Sequence, residues 1–360
     1  MQAVCGEDKD GKGEGIGKMF EVTSFGEIML RLSPPGYQRI LQATSFDINF
    51  GGAEANVVVA LSNIGVKTSY VTLLPPNSLG DATVNFLRRY GVDTSYIKRK
   101  GKRLGIYFLE RGVGQRPSTV VYDRADSAIN EIQPGDIDWK GILRKTKIFF
   151  STGITAALSQ NVLNELKMAF KIAKNTGAKV AFDINYRSKL WSYDRANEVI
   201  SELMPYVDIL ITNEEHVRRV LKIDMEEKYF EGIDLTPDGQ KVLFERLRTK
   251  YQNLSKIVLA ARRSLSASKN IFFAYTTGEN GNIVFSRKRE IEVIDRVGAG
   301  DAFTAGVLYG ILRGLESGQM LEVATYMCAL KHTVEGDSLI VTEDEIKQAL
   351  LQDGSGMMKR

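Results

Sequence analysis

The sequence predicts an α/β fold: a mostly parallel central sheet sandwiched between helical layers, with a small β-sheet lid attached. Three observations predict it. From Lys147 onwards, short apolar runs alternate with segments whose apolar residues recur at helical spacing, the pattern of strand–helix–strand units. Between about residues 104 and 124, aromatic and branched residues alternate with polar ones and no helical pattern intervenes, which suits exposed strands. Near each end of the chain a strand-like run breaks into glycines and then a helix, at Gly51-Gly52 and at Gly298-Ala299-Gly300. A length of 360 residues suits one such domain with its attachment.

Residues 1–18 are rich in Gly, Lys, Asp and Glu and are expected to form a disordered extension. Two motifs suggested there fail: Gly13 replaces the Ser/Thr of a P-loop, and Met19 replaces the bidentate Glu of a calcium loop. The folded domain is expected over 19–351, with a flexible tail at 352–360. Phe20 to Leu32 reads as one buried first strand, closed by a Pro34-Pro35-Gly36 turn. A strand from Phe46 then runs into Gly51-Gly52 and a helix through Val57, Ala60, Leu61 and Ile64. Alone, the glycine pair is a tight turn; the adjacent Glu54 and Asn56 favour a ligand pocket. Tyr70–Leu74 is a strand and Asp81–Tyr90 a helix stopped by Gly91. Gly105–Glu110 and Ser118–Asp123 are strands, and with the region from about 28 to 50 they make up the lid, spanning 104–124 in its second part.

Strands at Ile148–Ser151, Val180–Ile184, Ile209–Thr212 and Ile257–Ala260 are separated by helices at Ser159–Asn175, Asp194–Met204 and Asp238–Lys250. Ligands of parallel sheets sit beyond the carboxyl ends of the strands, so the residues after each strand are informative. They are Thr152-Gly153, Asp183-Ile184-Asn185-Tyr186-Arg187, Asn213-Glu214-Glu215-His216 and Arg262-Arg263-Ser264, and they point to a phosphate and metal site. The fifth such place is the stretch Glu292 to Gly306, read as a strand, a glycine turn and a helix start. A helix start offers unpaired N–H groups and the positive end of the dipole, which hold anions such as phosphate. Local sequence leaves Asp301 two roles: a cap for those N–H groups, or a base beside a bound phosphate.

Composition excludes other classes. Net charge is +4, and basic residues are interspersed with acids, unlike the clustered stripe of a nucleic-acid binder. No apolar run is long enough to span a membrane. Two cysteines argue against a disulfide framework, and a cytoplasmic setting is expected. No G-x-G-x-x-G follows the first strand, which disfavours a dinucleotide-dependent dehydrogenase.

The motifs Gly51-Gly52-Ala53-Glu54-Ala55-Asn56 and Asp295-Arg296-Val297-Gly298-Ala299-Gly300-Asp301 resemble the two signatures of the ribokinase-like (PfkB) carbohydrate kinase family, in order and spacing. Within that family the chain resembles the 2-keto-3-deoxygluconate kinases, through Phe25 to Arg31, Gly105 to Glu110, Tyr122-Asp123-Arg124, Asp183 to Arg187 and Leu190-Trp191. The resemblance implies a ribokinase-like three-layer sandwich and transfer of the ATP γ-phosphate to the terminal hydroxyl of a 2-keto-3-deoxy sugar acid. It implies Asp301 as base and the amides of Gly298, Ala299 and Gly300 as the anion hole. Arg187, Tyr107, Arg124 and Gly52 are then expected at the sugar acid, and Asn185, Asn213 and Ser264 at the nucleotide. Mg²⁺ is expected on the phosphates, with Glu214 and Glu215 reaching it through water. A homo-oligomer formed through the lid is expected as well.

Three departures from the family pattern stand out. His216 occupies a place that is commonly acidic, Arg296 stands where Thr or Pro is more usual, and Arg262 to Ser268 replaces the familiar glycine-containing nucleotide loop. His216 is read as an ordinary helix histidine without catalytic duty. Two alternatives remain open in the sequence, a kinase for a neutral sugar such as fructose and a non-catalytic nucleotide-binding regulator.

Overall fold

Apolar stretches of period two feed the sheets, and stretches of helical period cover them, in a strict order along the computed structural model, which describes residues 19–231 and 234–351. The extension expected at 1–18 and the tail expected at 352–360 lie outside the described residues. The strand β1 (Phe20–Phe25) is followed by β2 (Met29–Ser33), β3 (Asp47–Gly51), α1 (Ala53–Asn63), β4 (Thr68–Leu74), α2 (Ser78–Arg89) and β5 (Ile97–Arg99). Next come β6 (Ile106–Glu110), β7 (Thr119–Asp123), α3 (Trp139–Arg144), β8 (Thr146–Thr152), α4 (Gly153–Ala156), α5 (Gln160–Thr176), β9 (Lys179–Asp183) and α6 (Tyr193–Leu203). They lead to β10 (Ile209–Thr212), α7 (Glu214–Arg219), a hairpin of β11 (Phe230–Glu231) and β12 (Asp234–Leu235), and α8 (Pro237–Lys250). The chain closes with β13 (Lys256–Ser264), β14 (Lys269–Thr277), β15 (Ile283–Phe285), β16 (Arg289–Glu292), α9 (Ala299–Leu312), α10 (Ser317–Lys331) and α11 (Glu343–Leu351).

The main sheet runs in the order β15-β14-β13-β10-β9-β8-β1-β4-β5, with β16 also paired to β14. From β13 to β5 every pairing is parallel, and the β14, β15 and β16 edge is antiparallel. A separate four-stranded sheet, β3-β2-β6-β7, is the lid. Two apolar clusters lie against the sheets: one gathers α1, α9 and α10 residues, the other α3, α5, α6 and α8 residues, which makes three layers. Helices α1 and α9 are apolar almost all round, as expected of helices buried on every side, and Phe303 of α9 meets Phe272 edge-to-face at 5.4 Å. Local chemistry sets the surface helices: Ser159 Oγ caps α5 by accepting from the Val162 amide, and Gly177 ends it at φ 71°.

Three segments differ from the sequence reading. Phe20 to Leu32 is not one strand, because the chain leaves the main sheet at residues 26–28 and β2 begins the lid. Glu27 anchors this crossover: its buried carboxylate accepts hydrogen bonds from Arg124 and Ser127, the partners a buried acid requires. At the other end, Arg262, Arg263 and Ser264 do not follow a strand but continue it, since they pair with Phe272, Ile271 and Asn270 in the β13–β14 hairpin. The strand before the glycine turn likewise ends at Glu292 and pairs antiparallel with β14.

Candidate functional site

The carboxyl ends of the parallel strands β1, β8, β9 and β10 meet the N-termini of α1 and α9 at one edge of the main sheet, beneath the lid. Gly298 is the N-cap of α9 at φ 78°, a conformation that favours glycine, and a Cβ there would sink into the Asp337 carbonyl oxygen. The Ala302 amide closes the first helical bond on the Gly298 oxygen at 2.8 Å. Ala299 N reaches Arg296 O at 3.4 Å, and among the described residues the amides of Gly298 and Gly300 have no partner. A Cβ on Gly300 would meet nothing within 4 Å, so its outer side faces open space. The turn thus presents bare backbone and a helix dipole, a setting that attracts an anion.

Asp301 lies in the first turn of α9 but caps nothing: among the described residues its carboxylate accepts one hydrogen bond, from Asn56 Nδ2 at 2.7 Å. Burial raises its pKa to about 6, against the lowering effects of Asn56 and Arg187. Asn56 is held in turn by Ser338 Oγ at 3.3 Å and Gly52 N at 3.4 Å, so α1 aims an amide at the acid of α9. Two more acids share this edge. Glu54 is buried and its Oε1 accepts from Thr152 N, Thr152 Oγ1 and Thr155 Oγ1 at 3.1, 2.7 and 2.7 Å; burial pushes its pKa up to about 7. Burial, with Asp301 as a second cause, raises Asp183 to about 7 while its Oδ1 accepts from Asn185 N.

The residues expected at the sugar converge from the lid and from β9. Gly52 precedes α1 in extended backbone, and a Cβ on it would collide with the Glu27 carbonyl oxygen, so close packing rather than torsion calls for glycine. Tyr107, on β6, donates its hydroxyl to Asp337. Arg124 pairs with Glu27 and lies 5.6 Å from the Tyr122 ring centre, and its buried Nε has no hydrogen-bond partner among the described residues. Arg187 follows β9, is exposed and, among the described residues, has no side-chain hydrogen bond or ion pair; its charge acts on both Asp183 and Asp301.

The residues expected at the nucleotide are more dispersed. Asn185 sits at φ 36°, unusual for a non-glycine residue, just after β9. Asn213 caps α7 by accepting from His216 N at 2.8 Å. Ser264 is exposed at the end of β13. Glu214 is half-buried and accepts from the Tyr275 hydroxyl, whereas exposed Glu215 accepts from Tyr193 and Arg219 at 3.0 and 3.1 Å. The His216 ring packs against Asn213, and burial holds its pKa down to about 4. Among the described residues no group of three or more His, Cys, Asp or Glu is arranged to hold a metal.

Arg296, unexplained by sequence, braces the β13–β14 loop by donating to Ala267 O at 2.8 Å. The β6–β7 loop of the lid docks on the same loop, through Gly114 N to Ser268 Oγ at 2.9 Å and Ala267 N to Gly114 O at 3.0 Å. Sequence reasoning did not single out Asp337, which accepts from the Tyr107 hydroxyl and whose carbonyl packs against Gly298. Asn56 carried a readable signal, since it lies one helical turn beyond the glycine pair.

Comparison with known proteins fits this geometry. The model of the pfkB family carbohydrate kinases matches residues 19–344. A 2-dehydro-3-deoxygalactonokinase of Haloferax volcanii is 32% identical over 94% of this chain and 98% of its own length, and a 2-dehydro-3-deoxygluconokinase of Thermoproteus tenax is 28% identical over 93% and 95%. The crystal structure of the 2-dehydro-3-deoxygluconokinase of Thermotoga maritima superimposes with a TM-score of 0.87 at 43% identity, covering 92% of this chain and all of that one. With these matches over a three-layer fold of this topology, the chain belongs to the pfkB family of carbohydrate kinases.

Proposed function

We propose that this kinase transfers the γ-phosphate of ATP to the terminal hydroxyl of 2-keto-3-deoxygluconate (2-dehydro-3-deoxygluconate), giving the 6-phosphate. The observation that carries the sugar-acid assignment is Arg187, an exposed guanidinium without a side-chain partner among the described residues, whose charge acts on Asp301 and Asp183. A planar fork of donors suits a carboxylate, and the names of the Thermotoga and Haloferax relatives support the same substrate class. Tyr107, Arg124 and Gly52 would line the sugar pocket beside it, with Asn185, Asn213 and Ser264 toward the nucleotide.

In the proposed reaction Asp301 takes the proton of the attacking hydroxyl, and Asn56 holds that carboxylate in place. The oxygens of the transferring phosphoryl group lie against the amides of Gly298, Ala299 and Gly300, which supply fixed donors where negative charge develops. The half-buried acid Glu214, with Glu215 beside it, offers the hard oxygen donors that suit Mg²⁺ through water, and the ion would neutralise phosphate charge when bound. The lid would cover the sugar and pair with a second copy through its outer face, where Ile48 and Val121 are 64% and 48% exposed; light scattering that gives a monomer would contradict this. The setting proposed is the cytoplasm; no helix among the described residues is long and apolar enough to cross a membrane.

The test is a coupled ATP-consumption assay across 2-keto-3-deoxygluconate, its galactonate epimer, fructose and ribose. The sugar acids should be turned over at least about 10-fold more efficiently than the neutral sugars, the effect of about 1.4 kcal/mol in transition-state binding. Replacing Arg187 by Ala should raise the KM for the sugar acid by about 10- to 100-fold and leave that for ATP near its original value. If Arg187→Ala leaves sugar-acid affinity unchanged, the neutral-sugar reading takes over.

A further inference from the structure

Lys331 ends α10 with a side chain that is 0% exposed, the only fully buried lysine among the described residues. Its ammonium donates to Val334 O at 2.8 Å and, more loosely, to Asp295 O at 3.4 Å. These two carbonyls belong to different segments, the turn that leads into the anion hole and the loop that follows α10. The same two segments are knitted by an ion cluster. Arg31, from lid strand β2, donates to Asp295 Oδ2 at 2.6 Å and to Asp337 Oδ1 at 2.9 Å. Asp295 also accepts from Val297 N at 3.1 Å and Gly336 N at 3.2 Å, and the Asp337 carbonyl lies against Gly298.

The cluster is neutral, with Arg31 and Lys331 opposing Asp295 and Asp337, and all four residues are 3% exposed or less. Such a cluster is poor evidence for stability, because apolar side chains of similar volume usually serve as well. Its place in the fold explains it better. It lies directly behind the backbone amides of the turn, contacts neither the Asp301 carboxylate nor the open side of Gly300, and fixes the chain on both sides of Gly298. Burial pushes the Lys331 pKa down while Asp295 and Asp337 oppose this, and the Lys331 charge in turn acts on Asp301.

We infer that Lys331 is a positioning residue for phosphoryl transfer: its buried ammonium locks the turn at Asp295–Gly298 onto the loop 334–337 and keeps the region behind the anion hole electrically neutral. The inference rests on reading Gly298 to Asp301 as the transfer site. Without the ammonium, two carbonyls lose a donor and one uncompensated acid remains behind amides that must attract a phosphoryl group. The chemical step suffers, whereas ground-state binding of ATP and sugar, made elsewhere, persists.

The test compares the full-length protein with Lys331→Ala, Lys331→Met and Asp301→Asn in steady-state assays with ATP and 2-keto-3-deoxygluconate. Either folded Lys331 variant should lose about 10- to 100-fold in kcat with both KM values within about threefold of the original. Ammonium or methylammonium chloride should restore at least about fivefold of kcat in Lys331→Ala, where the ion can occupy the vacated volume, and have no such effect on Lys331→Met or the unaltered protein. Sodium chloride at equal ionic strength controls for screening. Methionine keeps the side-chain volume, so its kcat-to-KM split decides the matter if the alanine variant does not fold. A kcat within about twofold of the original in either folded variant, or a loss in Lys331→Ala that ammonium leaves untouched, overturns the inference. If Asp301→Asn also retains turnover, the transfer-site reading itself fails; if Asp301→Asn is inactive while the Lys331 variants are not, only the role of Lys331 does.

Discussion

At the scale of single residues, burial suits Asp301 to the proposed role of base. Its pKa, raised to about 6, puts it far closer to neutral pH than an exposed aspartate, so it is a better proton acceptor while still largely ionised at pH 7. A base must be unprotonated to act, so kcat/KM should rise as pH climbs through about 6 and level off above about 7. The rise should be broad, because Glu54 and Asp183 titrate near 7 beside it. Asp301→Asn should abolish this limb and slow turnover by about 10²- to 10⁴-fold while ATP still binds; calorimetric ATP titration together with the pH profile checks both, and near-normal turnover removes Asp301 from the role. Asp301 was legible because Gly-Ala-Gly-Asp before an apolar helix is a local pattern. Its partner Asn56 lies 245 residues away, and Arg31 lies 264 and 306 residues from Asp295 and Asp337, so no local periodicity connects them. Sequence reasoning could see the acid, but not what holds it.

At the scale of elements, the strand–helix alternation was readable because a strand buried on both faces and an amphipathic helix leave different periods. The crossover at residues 26–28 was not, since it depends on a distant segment that supplies Arg124 and Ser127 to the Glu27 carboxylate, and the reach of β13 to Ser264 was not, since it is set by hairpin pairing with β14, Arg262 with Phe272, rather than by the polar residues' own pattern. The turn before α9 allows its two glycines to be separated by experiment. Gly298→Ala forces a Cβ toward the Asp337 carbonyl at φ 78°, and so should destabilise the protein by about 1–3 kcal/mol and lower kcat by about 10²- to 10³-fold, as for a displaced anion-hole donor. Gly300→Ala meets open space within a helix, so it should hold or slightly raise the melting temperature, by up to about 1 kcal/mol of stability, yet lower activity because its methyl group projects where the phosphoryl group would lie. Thermal unfolding and steady-state rates of the two variants together check the orientation of the turn; a Gly300→Ala enzyme with full activity would place the phosphate elsewhere.

At the scale of the whole molecule, one edge of the main sheet gathers three acids, Glu54, Asp183 and Asp301, all with raised pKa values. In the window between their ordinary values near 4 and their folded values near 6 to 7, the folded chain holds protons that the unfolded chain has released, so rising pH favours unfolding. The histidines act in the opposite sense. Burial lowers His216 to about 4 and also lowers His332, so the unfolded chain binds more protons than the folded one until pH passes about 6.5, and stability gained there offsets part of the loss. From about pH 6.5 to 7.5 the histidine contribution tapers to a constant, and across this range the acids, chiefly Glu54 and Asp183, outweigh it. Ligand-free stability should therefore fall by about 1 kcal/mol from pH 6.5 to 8, the very range in which Asp301 becomes fully ionised. Glu54→Gln separates the cause, because a glutamine Oε1 can still accept from Thr152 and Thr155 but carries no charge. That variant should melt higher than the unaltered protein at pH 8 and show a visibly shallower decline between pH 6.5 and 8 in calorimetric scans. A flat or rising stability across that window, or an unchanged slope in Glu54→Gln, would show that the acids of this edge are ionised in the folded protein well below neutral pH, and the burial argument for Asp301 as a tuned base would fall with it.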